Sequence, residues 1–178
     1  MLIDQFLPHY EIHARHEVSV RARIDRVYAA VRELDISDAR LTHLLFRLRG
    51  IPADSRFTLD DLLKMRFTLL GETENEELLL GLVGRFWTLS GGLLRLDAEG
   101  YRSFDRAGYA KAAWNFSLAQ QSNDTVLLAT ETRVHCTNDE SRRRFKLYWR
   151  LIGTFSGLIR REILRALKKN ATASHFSS

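Results

Sequence analysis

The stretch from Asp139 to Lys169 restricts the fold more than any other, because a single helix accounts for almost every side chain in it. Phe145, Tyr148, Trp149, Ile152, Phe155, Ile159, Ile163, Ala166 and Leu167 recur at spacings of three and four, which lays them along one face of a helix. No proline interrupts the run. Thr137 to Glu140 spell a capping box, in which the Thr137 hydroxyl would accept from the Glu140 N–H and the Glu140 carboxylate from the Thr137 N–H. Asp139 and Glu140 sit at the positive end of the helix dipole and Lys168 and Lys169 at the negative end. Such a helix is about 45 Å long at 1.5 Å per residue, and its apolar face needs a broad partner surface.

The rest of the chain supplies that surface. His13 to Val20 alternates as a half-buried strand, with Ala14, His16, Val18 and Val20 on one side. Ile24, Val27, Tyr28, Val31 and Leu34 mark a short helix, and Leu41, Leu44, Leu45 and Leu48 a second that ends near Gly50 and Pro52. A third covers Leu59 to Lys64, with Thr58 as N-cap and Asp60 and Asp61 in its first turn. Phe67 to Glu72 and Glu77 to Val83 read as a hairpin that turns near Glu74 and Asn75. Thr88 to Gly108 holds four glycines and is the longest irregular connection, a candidate lid, with a helical turn available from Ala98 to Phe104. Tyr109 to Leu118 and Thr125 to Cys136 are long strands joined by a polar turn, Gln120 to Asp124.

If Leu118 faces Val126, Trp114 faces Thr130, Ala112 faces Thr132 and Ala110 faces Val134. One face of this pair is then apolar and rich in small residues, whereas the other carries Lys111, Asn115, Glu131, Arg133 and His135. The order of elements gives an α+β fold, in which a curved antiparallel sheet wraps around the terminal helix and short helices follow the first strand. Ala110, Ala112, Gly81 and Gly84 are too small to fill the space between sheet and helix, so a cavity is expected. One domain is expected over residues 1–170, with 171–178 as a frayed tail.

Composition narrows the functional classes. No basic cluster precedes an apolar run at the N-terminus, so a secretory signal is not expected, and the apolar stretch at Leu78 to Val83 is too short to cross a bilayer. Cys136 is the single cysteine, which suits a cytoplasmic location and, at the end of an apolar strand, reads as a buried thiol rather than a nucleophile. The net charge of +5 is concentrated: Arg142 to Lys169 holds ten Lys or Arg and one acid, Glu162. That leaves two readings of the helix: a solvated outer face, or a face for an anionic membrane surface, with nucleic acid the less favoured partner.

The passages GYAKAAWNF at 108–116 and TETRVHCTNDESRRRFKLYW at 130–149, with the run to Lys169, resemble the START-related helix-grip superfamily, which includes birch-pollen-allergen-like proteins and polyketide cyclases. Within it the chain looks like an uncharacterised bacterial branch, over about residues 10–169. The resemblance implies an enclosed apolar cavity for lipids, sterols, polyketides or other hydrophobic molecules, with cyclisation or dehydration in some members. Catalytic residues are not shared across the group, so the resemblance assigns none here.

No side-chain constellation in the sequence assigns a reaction. His13 and His16 point to opposite faces of a strand, and His9, His43, His135 and His175 lack ligand-spaced partners, so neither a metal nor another cofactor is expected. Neither a nucleophile elbow nor a phosphate-cradling loop occurs. Gly153 and Gly157 each cost about 1 kcal/mol in a helix interior, which calls for room for a ligand or for close approach of a neighbouring element. Trp87, Trp114, Tyr148, Ile152 and Phe155 are candidate lining residues beside Ala112, with Ser156 offering a hydroxyl. Arg85, between an apolar strand and the glycine-rich segment, is the expected charged residue at the mouth, and Tyr109, Thr130 and Thr132 are weaker polar candidates. The leading expectation is a carrier, sensor or scavenger of a small apolar or amphipathic molecule, reached past residues 50–57 and 88–108. The alternatives are a cyclase, hydratase or lyase in the same cavity, or a protein docking through its basic helix.

Overall fold

The computed structural model describes residues 1–34, 58–88 and 90–173. Period-two alternation builds five strands: β1 (Ile12–Val20), β2 (Thr68–Thr73), β3 (Glu77–Gly84), β4 (Ala110–Ser122) and β5 (Thr125–Cys136). They form one antiparallel sheet in the order β1-β5-β4-β3-β2, so the first strand closes onto the last. Helical periodicity gives α1 (Leu2–Phe6), α2 (Ile24–Glu33), α3 (Leu59–Lys64), α4 (Ala98–Ser103) and α5 (Asp139–Ala173). The helix expected around Leu41 to Leu48 lies outside the described residues, as do residues 174–178. α3 has the expected cap: the Thr58 N–H and hydroxyl donate to Asp61 Oδ2 at 3.0 and 2.9 Å.

The architecture is that of a helix grip, with a sheet curled around the 35-residue α5. Its β4–β5 register differs from the sequence expectation by two residues. Leu118 lies opposite Leu128, Trp114 opposite Thr132, Ala112 opposite Val134 and Ala110 opposite Cys136. Ladder pairing continues to Ser122↔Thr125, past an irregularity between Gln120 and Ser122, so only Asn123 and Asp124 are left for the turn. A slip of two preserves which side chains share a face, and the inward set is unchanged.

The start of α5 also differs. Thr137 is occupied by the sheet: its hydroxyl donates to the Tyr109 carbonyl at 2.9 Å and accepts from the Tyr109 N–H at 3.0 Å. Asn138 caps instead, its Oδ1 accepting from the Ser141 N–H at 3.0 Å, while Glu140 pairs with Arg144 one turn on.

His13, Arg15 and Glu17 of β1 stay exposed, but over β3, β4 and much of β5 the polar face of the sheet is not solvated. α1, α4 and the segment Leu94 to Leu96 cover it, in a second apolar cluster that includes Ile3, Leu7, Leu79, Val83, Tyr101, Tyr109 and Ala113. The polar side chains Glu77, Lys111, Asn115, Glu131 and Arg133 are buried here and paired, whereas His135 is part exposed. Glu77 accepts from the N–H groups of Leu2 and Ile3 at 2.6 and 3.3 Å and from Asn115 Nδ2 at 2.6 Å. Asn115 Oδ1 accepts from the Glu131 N–H at 3.0 Å, and Glu131 accepts from Arg133 Nε at 2.6 Å. Lys111 donates to the Arg102 carbonyl at 3.1 Å.

Candidate functional site

On its concave side the sheet meets α5 in two filled regions with a gap between them. One is the main core, where Leu78, Leu80, Phe116 and Leu128 pack against α2, α3 and the end of α5. The other is a small cluster of Ala110, Val134, Cys136 and Phe145, with Phe86, Tyr148 and Trp149 against it. Along β4 the inward side chains run Ala110, Ala112, Trp114, Phe116 and Leu118, small at one end and large at the other. Over Ala112 the layer is not filled by side chains, and a cavity of about 290 Å³ remains. Its walls are Leu82, Ala112, Trp114, Thr132 and Val134 from the sheet, Met65 and Phe67 after α3, and Tyr148, Trp149, Ile152, Ser156 and Arg160 from α5.

The lining is apolar except where Arg160, Thr132 and Ser156 meet. Arg160 Nε donates to Thr132 Oγ1 at 3.0 Å and Nη1 to Ser156 Oγ at 2.8 Å. The guanidinium lies 5.9 Å from the centre of the Trp149 ring. Arg160 is 7% exposed, and no carboxylate of the described residues forms an ion pair with it. Desolvation alone brings its pKa down to about 10. His16, on the inward face of β1, has a pKa held below the usual value by burial and by the charges of Arg160 and Arg161. As part of the basic run from Arg142 to Lys169, Arg160 is expected on the outer face of the helix, and the structure turns it inward. A signal for that was present, because Ser156, Arg160, Ile163 and Leu167 follow each other at spacings of four and three on the buried stripe.

Six of the predicted site residues, Ala112, Trp114, Thr132, Tyr148, Ile152 and Ser156, line this cavity together. The other five lie elsewhere. Arg85 is exposed, stacks 4.6 Å over Tyr109 and, with Trp87, lines a separate cleft beside Glu140 and Arg144. Tyr109 belongs to the opposite face of the sheet, edge-on to Phe104. Thr130 is buried behind Trp114, accepting from its Nε1 at 2.7 Å and donating to the Asn115 carbonyl at 2.9 Å. Phe155 is half exposed and shares an outer stripe of α5 with Leu147, Leu151 and Leu158. The glycine-rich segment folds back along β3, where Arg85 N–H donates to the Gly91 carbonyl at 2.7 Å and Leu94 N–H to the Val83 carbonyl at 2.9 Å, so of its neighbourhood Phe86 reaches the cavity.

The two helix glycines resolve separately. A Cβ on Gly157 would lie 3.5 Å from His16 Nε2, where β1 crosses the helix. A Cβ on Gly153 would lie 3.1 Å from Trp149 Nε1, so its absence lets the indole lie back along α5 as part of the cavity wall.

Cys136 takes no part in the cavity. Burial, with the Glu11 carboxylate nearby, pushes its thiol up to about 12. Its expected reaction with a disulfide reagent at pH 8 is therefore negligible in the folded protein and complete within minutes in guanidinium chloride. Rapid labelling without denaturant would contradict this burial. Among the described residues, no group of His, Cys, Asp and Glu could hold a metal ion, and no helix is long and apolar enough to cross a membrane.

Fold and cavity together define a helix-grip protein with an apolar pocket between its sheet and α5. Among solved structures, the chain is similar to a conserved protein from Geobacillus kaustophilus, at TM-score 0.50 and 8% identity, over 92% of this chain and 97% of that one. Truncated norcoclaurine synthase from Thalictrum flavum matches at TM-score 0.42 and 12% identity over 90% and 93%, and the di-domain aromatase/cyclase BexL at 0.38 and 15% over 90% and 46%. The likeness to the Geobacillus protein is one of fold. No family model matches the sequence, and no curated protein matches it.

Proposed function

We propose that this protein binds a small apolar or amphipathic molecule between its sheet and α5, as a carrier, sensor or scavenger. The observation that carries the reading is the chamber of about 290 Å³ over Ala112, walled by aromatic and aliphatic side chains with a polar group at Arg160. An apolar pocket of that size leaves its walls short of dispersion contacts, and an apolar occupant restores them. Among the described lining residues there is no Asp, Glu or His, which favours binding over general acid–base catalysis. Native mass spectrometry of protein purified from its own host is expected to show a co-purified species that organic solvent removes. Spectra that repeatedly show only the bare chain mass would count against the proposal.

A further inference from the structure

We propose that the ligand of this chamber is an amphipathic organic anion, with its carboxylate on Arg160 and its apolar body along Ala112, Trp114 and Ile152. This rests on the chamber being a ligand site and adds the charge class of the ligand. A guanidinium on a residue that is 7% exposed, with no ion-pair partner among the described residues, is an expensive group to keep against an apolar lining. A methionine or leucine would fill the same place on the stripe of α5 at lower cost. The neighbours of Arg160 do not neutralise it. Thr132 and Ser156 are uncharged, and both use their oxygens as acceptors toward it.

Arrangement and stoichiometry point to a carboxylate. Of the five N–H donors of a guanidinium, Arg160 spends two on Thr132 and Ser156, which leaves three without a partner among the described residues. A carboxylate takes two of them as a fork, the geometry for which Arg is better suited than Lys. Because the Thr132 and Ser156 hydroxyls accept from Arg160, their own protons are left to donate to the same anion. The lining holds one cation among the described residues, and nearby His16 is shifted toward its neutral form, so the site matches a single negative charge rather than a doubly charged phosphate. The outward surface of α5 has no part in this, since Arg160 faces the interior.

The test compares sodium decanoate with its neutral counterpart decanamide, by quenching of intrinsic tryptophan fluorescence, on wild type and Arg160→Met. The wild type is expected to bind decanoate at least about tenfold more tightly, the minimum for a charge-assisted hydrogen-bond pair against an apolar lining. Arg160→Met removes that preference, while Arg160→Lys keeps the charge without the fork and retains part of it. Thr132→Val with Ser156→Ala, which spares the guanidinium, weakens decanoate selectively by about threefold to tenfold. Equal affinities in the wild type, or an unchanged preference in Arg160→Met, would overturn the anion assignment and leave the chamber as a neutral-ligand site. Failure of both compounds to bind would overturn the chamber reading together with it.

Discussion

Replacing Glu77 by alanine is expected to lower the melting temperature by roughly 6–12 °C and to release the N-terminal helix from the sheet. Glu77 is 4% exposed, and its carboxylate accepts from the Leu2 and Ile3 N–H groups and from Asn115 Nδ2. It therefore caps α1 with negative charge at the end where the helix dipole is positive, and fixes the amide whose oxygen holds Glu131. Alanine leaves three donors without their acceptor. Water can reach two of them if α1 lifts away, but that gives up the burial of Ile3 and Leu7, which are 0% and 3% exposed. Either route costs about 3 kcal/mol, and a protein of this size loses about 2–4 °C per kcal/mol. Glu77→Gln keeps one acceptor and is expected to lose less. Circular dichroism melting gives the stability, and hydrogen exchange at residues 2–7 the release. A shift below about 2 °C with unchanged exchange would show that α1 is held by its apolar contacts alone.

That network shows where local sequence reasoning stops. The alternation of β4 and β5 was enough to sort Ala112, Trp114, Thr132 and Val134 onto the inward face, and a register slip of two did not disturb the assignment because the strand period is two. The same alternation gathers the polar set Lys111, Asn115, Glu131, Arg133 and His135, but a polar face normally meets water. Nothing local says that a five-residue helix 75 residues before Glu77 will cover it. The capping box at Thr137 failed for a related reason: the motif is local, whereas the Thr137 hydroxyl had a long-range claim from Tyr109. At the chamber, the hydroxyls of Thr132 and Ser156 were identified while the arginine they hold was not. Arg85 drew attention through its neighbours in sequence, Gly84 and Phe86, and Arg160 was absorbed into a run of basic residues although its helical phase put it beside Ile163.

Ala112→Trp is expected to abolish ligand binding, by at least about a hundredfold, while shifting the melting temperature by no more than about 4 °C. Two adjacent alanines set the contrast. Ala112 and Ala113 follow each other on β4 and point to opposite faces of the sheet. Ala113 is 0% exposed and packs into the filled cluster of Leu79, Tyr101 and Tyr109. Ala112 borders the chamber of about 290 Å³. An indole at 112 enters empty space toward Ile152 and Ser156, displacing the guest instead of the wall. An indole at 113 has no space to enter, so Ala113→Trp is expected to cost at least 1–3 kcal/mol, or about 2–12 °C, through overpacking. Tryptophan fluorescence titration with decanoate and native mass spectrometry read the binding, and thermal melts read the stability. Unchanged decanoate affinity in a folded Ala112→Trp would remove the space over Ala112 from the binding site. Equal destabilisation by the two variants would mean that the concave layer is as full as the convex one, because the contrast between neighbouring positions depends only on which face of the sheet is hollow.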